Sequence, residues 1–381
     1  MTKHIVISGW YGYGNIGDEA ILHAMIETFH EAYPDLKITV LSFRPEYTKE
    51  IQKVETVHQI PISTLRPWVK FLLYLRFVAT LKAIYSCDIF VMGGGGFLSD
   101  WQPKVPKGWL KQMRLAKLFG KKSMLYGIGA GPFLTPTGKE TTKKYLQKYV
   151  DQITVRDIVS YENLHALGIS KERMTLSSDP VYHLTLKQHH YDKTKPFKVL
   201  LSFPEIFHNS SWKDHERHYK QYLESIKELT AALEKREIAY TFVSFMQGHD
   251  ELFTETKLQQ KSTVITSIED LQELFSASNP IVLGLRFHFN LLSLLSGVPV
   301  LPVVYHHKVF SIVNAFKCAY LEVGNGENWK ESSLDVTLAL HEIEKIQKNY
   351  EQMQTEIRST IDTLKEQEKK NLITLQKVDA L

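Results

Sequence analysis

The stretch "SGWYGYGNIGDEAIL", residues Ser8–Leu22, decides how the N-terminal part of the chain folds. Its notable residues are four glycines followed by two acids: Gly9, Gly12, Gly14, Gly17, Asp18 and Glu19. A short apolar run, "HIVI", precedes it, and "AILHAMIETF" follows with apolar residues at helical spacing. A glycine-rich turn therefore joins a first strand to a first helix, which is where nucleotide-binding folds hold phosphate. The spacing is not G-x-G-x-x-G, and carboxylates stand where a phosphate needs donors.

The alternation of short strands and helices continues along the chain and predicts parallel sheets with helices on both faces. A polar stretch, Leu186–Pro196, reads as a linker, and the alternation restarts at "FKVLLSF". We therefore predict an α/β protein with two doubly wound, Rossmann-like domains that face each other across a cleft. The predicted domains are 1–186 on the acceptor side and 197–336 on the donor side. Residues 337–381 are predicted to pack back on the body as helices, with a coiled coil as the alternative.

The composition is that of a globular protein and excludes several classes of function. The chain has 381 residues, of which 43% are hydrophobic and 23% charged. The net charge of +4 is too small to indicate nucleic-acid binding but suits an anionic ligand or acidic lipid head groups. Two separated cysteines, Cys87 and Cys318, fit a reducing compartment. We find no leader pattern and no long uncharged apolar run, so we expect neither a signal peptide nor a membrane-spanning helix.

The segment Arg66–Ser86 has two interpretations. Its sequence is "RPWVKFLLYLRFVATLKAIYS", in which Lys70, Arg76 and Lys82 spread around the helix. One interpretation is a largely buried helix whose basic ends reach solvent. The other is a basic and aromatic surface that touches a membrane.

Three glycine-rich loops follow predicted strands in the first half. They are the opening loop, the "GGGG" of Gly93–Gly96, and "YGIGAGP" at Tyr126–Pro132. Because parallel strands end at one edge of a sheet, we expect these loops to line one binding edge, although three unrelated turns would give the same pattern. Carboxylates beside them suit sugar hydroxyls better than phosphate, while acids at a helix start also complement its dipole. The predicted acceptor-binding residues are Gly14, Asn15, Gly17, Asp18, Glu19, Gly95, Gly96 and Asp100.

Basic residues mark the second half. Arg286 and His288 follow a buried strand and open a helix, and Lys308 follows the next strand. A helix N-terminus with such residues is typical of an anion site, although His288 alone could be a satisfied core histidine. Arg156 ends a strand of the first half, where its alternative role is a surface salt bridge with Asp157. No convincing ligand set is present, so we predict no metal site.

Several of these motifs together resemble the polysaccharide pyruvyltransferase family, in particular its cell-wall (CsaB-type) members. The similar blocks are "GYGNIGDEAIL", "GGGGFLSD", "YGIGAGP", "VRD", "SSDP" and "GLRFHFNLLSLLSGVPVLPVVYHHKV", between His4 and Val309. The segment after Asp100 and the histidines of "YHHK" depart from the family pattern. The resemblance implies the GT-B arrangement of two Rossmann-like domains. It also implies transfer of pyruvate from phosphoenolpyruvate onto a sugar as a ketal, on lipid-linked precursors in many members.

The resemblance implies that Arg156, His288 and Lys308 handle phosphoenolpyruvate. From its position just before His288, we predict that Arg286 also binds the donor. We predict that His288 is the catalytic acid and that Asp18 orients or deprotonates an acceptor hydroxyl. Phosphoenolpyruvate is then a co-substrate and no cofactor is needed. The expected partners are a glycan or lipid-linked oligosaccharide and the membrane surface, but no nucleic acid, and the expected location is the cytoplasm at the inner membrane face. Two alternatives stay open: a GT-B glycosyltransferase that uses a nucleotide sugar, and a non-catalytic glycan-binding protein.

Overall fold

The computed structural model describes residues 2–62, 69, 71–72, 75–100, 105–207, 215–323 and 332–381. It divides into two compact units. The first unit consists of Met1–Tyr13, Asp18–Leu184 and Leu364–Leu381, and the second of Gly14–Gly17 and Thr185–Thr363.

The first unit is built on a parallel sheet whose order, within the described residues, is β3-β2-β1-β4-β5-β6-β7. Its strands are β1 (Lys3–Ser8), β2 (Leu36–Ser42), β3 (Glu55–His58), β4 (Ile89–Gly93), β5 (Lys122–Ile128), β6 (Gln152–Val155) and β7 (Met174–Leu176). Its helices are α1 (Ile16–Ala32), α2 (Pro45–Gln52), α3 (Arg76–Ser86), α4 (Val105–Leu118), α5 (Pro136–Tyr149) and α6 (Ile158–Ala166). The strand order reverses between β1 and β4, the point at which doubly wound sheets bind ligands.

Local sequence explains these elements. β1 and β4 are apolar and almost wholly buried, as expected of central parallel strands that helices cover on both faces. Helix α5 begins with Pro136 after Thr135, whose hydroxyl accepts a hydrogen bond from the Gly138 amide at 3.0 Å. Asp157 caps α6 in the same way, through the Ser160 amide at 2.7 Å. The caps fix where each helix begins and therefore where each preceding loop ends.

The second unit repeats the topology. Its parallel sheet has the order β10-β9-β8-β11-β12-β13 in the described part of the chain. Its strands are β8 (Phe197–Ser202), β9 (Tyr240–Ser244), β10 (Ser262–Val264), β11 (Asn279–Gly284), β12 (Val300–Val304) and β13 (Leu321–Glu322). Its helices are α7 (His215–Lys235), α8 (Asp250–Lys257), α9 (Ile268–Ser276), α10 (Phe287–Leu295), α11 (His307–Phe316) and α12 (Val336–Lys348). The order reverses between β8 and β11.

The last helix, α13 (Tyr350–Ala380), contributes to both units. Residues up to Thr363 belong to the second unit, where Tyr350 donates its hydroxyl to the Pro280 carbonyl at 2.7 Å. From Leu364 onward the helix belongs to the first unit, where Asn371 donates to the Ser178 carbonyl at 3.0 Å. The helical periodicity of the sequence thus becomes two helices, α12 and α13, that meet at Asn349.

The predicted α/β class with two parallel, helix-covered sheets is confirmed. The predicted domain limits and the cleft stay predictions. Of the segment 66–86, residues 66–68, 70 and 73–74 lie outside the described residues. In the described part, α3 buries Ala83 and Ile84 but exposes Val78 and Tyr85, so one of its apolar faces is turned to solvent rather than to the core.

Candidate functional site

The opening loop of the first unit is fastened to the loop that follows β4. The buried hydroxyl of Tyr11 donates to the Gly93 carbonyl at 2.7 Å. Burial raises the pKa of this hydroxyl well above its usual range, so it stays protonated as a donor. A side chain at Gly9 would overlap the Tyr11 ring, whose Cζ would lie 2.5 Å from the added Cβ. The two loops therefore form one connected edge at the point where the strand order reverses.

The glycines of the second loop are used in two different ways. Gly94 has a φ of +64°, and an added Cβ there would lie 2.0 Å from the Ile21 side chain. Gly96 has no such constraint, since its added Cβ would meet only Arg156, at 3.8 Å. Gly94 is thus required by the fold, whereas Gly96 leaves room that the fold does not use.

Asp18, Gly95, Gly96 and Arg156 lie together in the first unit, and we call this group the glycine-loop site. An added Cβ on Gly95 would lie 3.7 Å from Asp18 Oδ1, and Arg156 lies against both Gly96 and Gly129. Asp18 is half-buried at the start of α1. The expectation that the three glycine loops share one edge therefore agrees with the geometry, while the acceptor-binding roles stay predictions.

Arg156 is not a surface residue. Its side chain and that of Asp179 are each only 3% exposed, and Arg156 Nη1 donates to Asp179 Oδ2 at 2.9 Å. Asp157, the partner considered in the sequence analysis, is more distant, at 3.7 Å. The surface salt-bridge interpretation is therefore wrong in its location: the main partner comes from the "SSDP" segment after β7. The pair with Asp179 fixes the position of the buried guanidinium, and the predicted contact of Arg156 with the donor stays a prediction.

Glu19 and Asp100 are occupied within the loops themselves. Glu19 is buried, and its Oε1 accepts from the Gly12 amide at 2.8 Å. Burial raises the pKa of Glu19 to about 7, while Gly12, Arg44 and Gln52 act in the opposite direction. Asp100 accepts from the amide and hydroxyl of Thr135, both at 2.7 Å. Both acids shape the loops in this structure, and their predicted contact with an acceptor stays a prediction.

Arg286, His288 and Lys308 lie at the carboxyl ends of β11 and β12, and we call this group the basic site. The two strands are neighbours, with Gly284 of β11 paired to Pro302 of β12. Arg286 is the N-cap residue of α10, His288 lies in its first turn, and Lys308 lies in the first turn of α11. His288 and Lys308 are both half-buried. Two adjacent helix starts thus combine their dipoles with basic side chains, which favours a bound anion.

Arg286 makes a strong contact within the second unit. It is ion-paired with Asp250, which is 3% exposed and also accepts from the amides of Phe245 and Met246, each at 3.1 Å. Part of the charge of Arg286 is thereby compensated. The geometry favours a positioning role for Arg286, and its predicted part in donor binding stays a prediction.

Lys308 is accompanied by two residues of the "YHHK" segment. Its Nζ lies 5.3 Å from the ring centroid of Tyr305, and its amide donates to His306 Nδ1 at 3.2 Å. His306 is the N-cap residue of α11. Burial alone would raise the pKa of Tyr305, but Lys308 and Arg286 lower it overall.

The short segment Gly14–Gly17 groups with the second unit. Asn15 forms an antiparallel bridge with Met246, and the Gln247 amide donates to the Gly14 carbonyl at 3.3 Å. An added Cβ on Gly17 would lie 2.4 Å from His288 Cβ. Gly17 is thus small because the His288 side chain lies against it. The structure brings Gly17 and His288 together, although the sequence analysis assigned them to different substrates.

Four important residues were missed in the sequence analysis: Tyr11, Asp179, Asp250 and Tyr305. Asp179 lies in the motif "SSDP" quoted above, and Tyr305 is the first residue of "YHHK". Among the described residues, no group of three or more His, Cys, Asp or Glu side chains is arranged to hold a metal ion.

The fold is shared with solved structures of low sequence identity. The S. aureus MnaA–UDP co-structure has a TM-score of 0.60 at 12% identity, covering 93% of this chain and 91% of that chain. Anabaena HepE in complex with UDP-glucose gives 0.60 at 10% identity, covering 98% and 99%. A glycosyltransferase from Rickettsia africae ESF-5 gives 0.59 at 13% identity, covering 99% of each chain. No curated protein matches the sequence.

These likenesses define the class of fold as GT-B, with two Rossmann-like domains, as predicted. The family follows from sequence. The model of the polysaccharide pyruvyl transferase family matches residues 15–307, which is most of the chain. The protein belongs to the polysaccharide pyruvyl transferase family, and the predicted resemblance is confirmed.

Proposed function

We propose that this protein transfers pyruvate from phosphoenolpyruvate to a sugar of a cell-wall or extracellular polysaccharide, or of its lipid-linked precursor. The product is a cyclic ketal, and inorganic phosphate is released. The observation that carries the proposal is the basic site, in which His288 and Lys308 open two adjacent helices of a pyruvyl transferase family member. Phosphoenolpyruvate has a carboxylate and a phosphate, and both need cations or helix N-termini.

The reaction needs an acid and two acceptor hydroxyls. Protonation of the C3 methylene makes C2 electrophilic, and one sugar hydroxyl adds to C2 and loses its proton. The C2–O bond to phosphate then breaks, and a second hydroxyl of the same sugar adds and closes the ring. One of the two released protons restores the acid and the other leaves with phosphate. No electron carrier enters this sequence, and we propose that no metal or cofactor is required.

We assign the roles as follows. His288 donates the proton to C3, because imidazole is the side chain that exchanges a proton near neutral pH and His288 lies half-buried in the first turn of α10, after a strand end. Lys308 and Arg156 hold the donor anion and stabilise the departing phosphate. Asp18, at the start of α1 and beside Gly95, orients an acceptor hydroxyl or accepts its proton.

A direct test uses the intact protein, phosphoenolpyruvate and a panel of synthetic and lipid-linked glycans. We expect release of inorganic phosphate and a glycan product heavier by one pyruvate less one water in mass spectrometry. Phosphoenolpyruvate binding should persist in excess chelator. Binding that disappears in chelator and returns with a divalent cation would contradict the metal-free arrangement.

The second candidate function is sugar transfer from a nucleotide sugar, and a specific observation favours testing it. Among the similar solved structures, Anabaena HepE was determined with UDP-glucose and S. aureus MnaA with UDP. Release of a nucleoside diphosphate from UDP-glucose, with no consumption of phosphoenolpyruvate, would replace our first proposal by this one. Sugar binding without turnover of either donor would indicate a glycan-binding protein.

We also propose that the protein works in the reducing cytoplasm, against the inner face of the membrane. Both described cysteines are free, as that compartment favours. Helix α3 turns Val78 and Tyr85 to solvent, with Lys82 on the same side, and Leu75 just before the helix is also exposed. No helix in the described residues is long and apolar enough to cross a membrane. Parent protein should sediment with vesicles that contain anionic lipid, and Val78→Glu should weaken this; equal sedimentation with neutral vesicles would contradict it.

A further inference from the structure

A cluster of aromatic rings lies beside the glycine-loop site and is not used by the roles assigned above. It begins in the core with Trp109, which is completely buried, and continues through Trp10, whose ring centroid is 5.6 Å from that of Trp109. Trp10 stacks on Tyr13 at 4.8 Å with an angle of 12° between the rings. Phe43 completes the cluster. The rings lead from the interior to the opening loop, where Tyr13 is 40% exposed.

The distances show which face of Tyr13 is open. One face is covered by Trp10 in the stacked pair. Phe43 lies 4.6 Å from Tyr13 and 5.3 Å from Trp10, so it must lie beside the stacked pair and cannot cover the opposite face of Tyr13. Trp10 and Phe43 therefore leave the opposite face of Tyr13 uncovered, and Tyr13 is 40% exposed.

The residues just before Tyr13 are held in place by hydrogen bonds. The Tyr11 carbonyl accepts from the Phe43 amide at 3.0 Å, and the Gly12 amide donates to Glu19 at 2.8 Å. The carbonyl of Gly12, a residue with a φ of +85°, accepts a hydrogen bond from Arg44 Nε at 2.5 Å. An aromatic residue at a loop tip would normally move freely, but this one is fixed by hydrogen bonds on the residues before it. A fixed platform loses little entropy when a ligand stacks on it.

We propose that Tyr13, supported by Trp10 and Phe43, is a stacking platform for a pyranose ring of the acceptor glycan. The C–H groups on one face of a pyranose carry partial positive charge and complement the negative face of an aromatic ring. The hydroxyls at the edge of the same sugar need acceptors, which the carboxylate of Asp18 supplies a few residues further along the chain. The loop therefore supplies an aromatic ring for the apolar face of the sugar, and the helix that follows it supplies a carboxylate for the hydroxyls.

A nucleobase would also stack on an aromatic ring, but the charges here argue against a nucleotide. The loop that carries Tyr13 leads into Asp18 in the first turn of α1, whose negative charge opposes a phosphate group. A neutral sugar has no such conflict. The proposal rests on the proposed function for the identity of the glycan as acceptor, but stacking itself can be measured without any donor.

The test compares Tyr13→Ala, Tyr13→Phe and a matched control. Tyr320, at 38% exposure in the second unit, has nearly the same exposure as Tyr13, so Tyr320→Ala controls for the loss of an exposed tyrosine. Methyl β-D-galactopyranoside, glucopyranoside and mannopyranoside are titrated by NMR in the absence of phosphoenolpyruvate. Sorbitol supplies hydroxyls without a ring face. Thermal unfolding is recorded for each variant.

We expect at least one pyranoside to bind the parent more tightly than sorbitol does. Tyr13→Ala should weaken that binding by roughly 2- to 12-fold, while Tyr13→Phe and Tyr320→Ala should bind as the parent does. Equal binding by Tyr13→Ala and parent, or an equal loss in Tyr13→Phe, would overturn the platform. Binding of UDP that depends on Tyr13, with no pyranoside binding, would also overturn it. Loss of pyranoside binding in Tyr13→Ala without any pyruvyl transfer by the parent would leave the platform standing and refute the transferase.

Discussion

In the first unit, the loops after β4 and β5 are made of glycine, whereas the equivalent positions of the second unit, after β11 and β12, carry His288 and Lys308. Apart from the additional edge strand β7 of the first sheet, both sheets have the same strand order and reverse at the same place. The scaffold therefore does not determine which ligand is bound. What differs is the residue that follows each strand: glycine exposes backbone and leaves space, while histidine and lysine supply charge and a proton.

Each unit also contains one arginine–aspartate pair, but the two pairs differ in burial. In the first unit both partners, Arg156 and Asp179, are 3% exposed, while in the second unit Arg286 is 23% exposed and Asp250 3%. In the first pair both charged groups are buried, whereas in the second pair the arginine reaches solvent. The comparison suggests that the first unit depends more on its pair for stability than the second does.

The largest expected effect concerns the basic site of the second unit. His288→Ala should lower kcat by roughly 10²- to 10⁴-fold, because the general acid is lost. His288→Gln should be nearly as slow, since an amide cannot protonate carbon. Lys308→Ala should instead raise the phosphoenolpyruvate dissociation constant at least as much as it lowers kcat. Steady-state kinetics and calorimetry separate the two effects, and a parent-like rate in His288→Gln would show that the acid lies elsewhere.

The next prediction concerns the two ion pairs. Asp179→Asn leaves a buried arginine without its charge partner and should lower the free energy of unfolding by about 3 kcal/mol. Asp250→Asn should cost less, about 1 kcal/mol, because Arg286 can reach water. Urea denaturation of the two variants measures the difference. Equal losses, or a larger loss in Asp250→Asn, would contradict the contrast in burial.

The partners in these ion pairs could not be predicted from the sequence. The strands and helices of both sheets, the glycine loops and the basic helix starts follow from local periodicity and from residue types next to each other in the chain. The partner of Arg156 could not be found in that way, because Asp179 lies one helix and one strand further on and only the packed sheet brings them together. Asp157, the local candidate, turned out to cap α6.

The aromatic cluster was missed for a related reason. Trp10 and Tyr13 are close in sequence, but their stacking depends on Phe43 and Trp109 from other elements. Likewise, nothing in the sequence indicated that Glu19 would be buried behind Gly12 instead of facing a ligand. Residue types predict what a loop could bind, whereas burial decides which of its side chains are available.

A third prediction concerns the pH dependence of stability that the buried carboxyl group of Glu19 causes. The pKa of Glu19 is raised from 4.5 to about 7 by burial, so the folded state holds this proton more tightly than the unfolded state. The stabilisation is complete below pH 4.5 and is lost as the pH rises to about 7. Glu19→Gln should remove this loss and stabilise the protein at pH 8 by an amount on the order of 1 to 3 kcal/mol.

The control for this prediction is Glu368, whose pKa burial also raises to about 7. Both carboxyl groups contribute to the slope of the unfolding free energy against pH. Glu19→Gln should therefore remove only part of this slope, and the variant with both Glu19→Gln and Glu368→Gln should remove more. If the slope of stability between pH 4.5 and 7 is unchanged in Glu19→Gln, the pKa of Glu19 is the same in the folded and the unfolded state.

The smallest expected effect concerns the glycines. Gly96→Ala should leave stability unchanged, since the added methyl group meets only Arg156 at 3.8 Å. If an acceptor approaches the backbone there, the same methyl group should raise the acceptor KM by roughly tenfold. Gly94→Ala is the structural counterpart, and it should destabilise the protein because of its positive φ and the contact with Ile21. An unchanged acceptor KM in Gly96→Ala would remove Gly96 from the acceptor site.

Helix α13 has a consequence for how the protein is made. The first unit needs residues Leu364–Leu381, so its surface around Ser177 and Ser178 stays uncovered until those residues have left the ribosome. At roughly 5 to 20 residues per second, the wait after Leu184 is translated lasts on the order of ten to forty seconds. The second unit is synthesised during that interval, so its residues are all available before the first unit is complete. The order of translation and the order of completion are therefore reversed, and a nascent chain stalled before Leu364 should be more sensitive to protease in its first unit than the released protein.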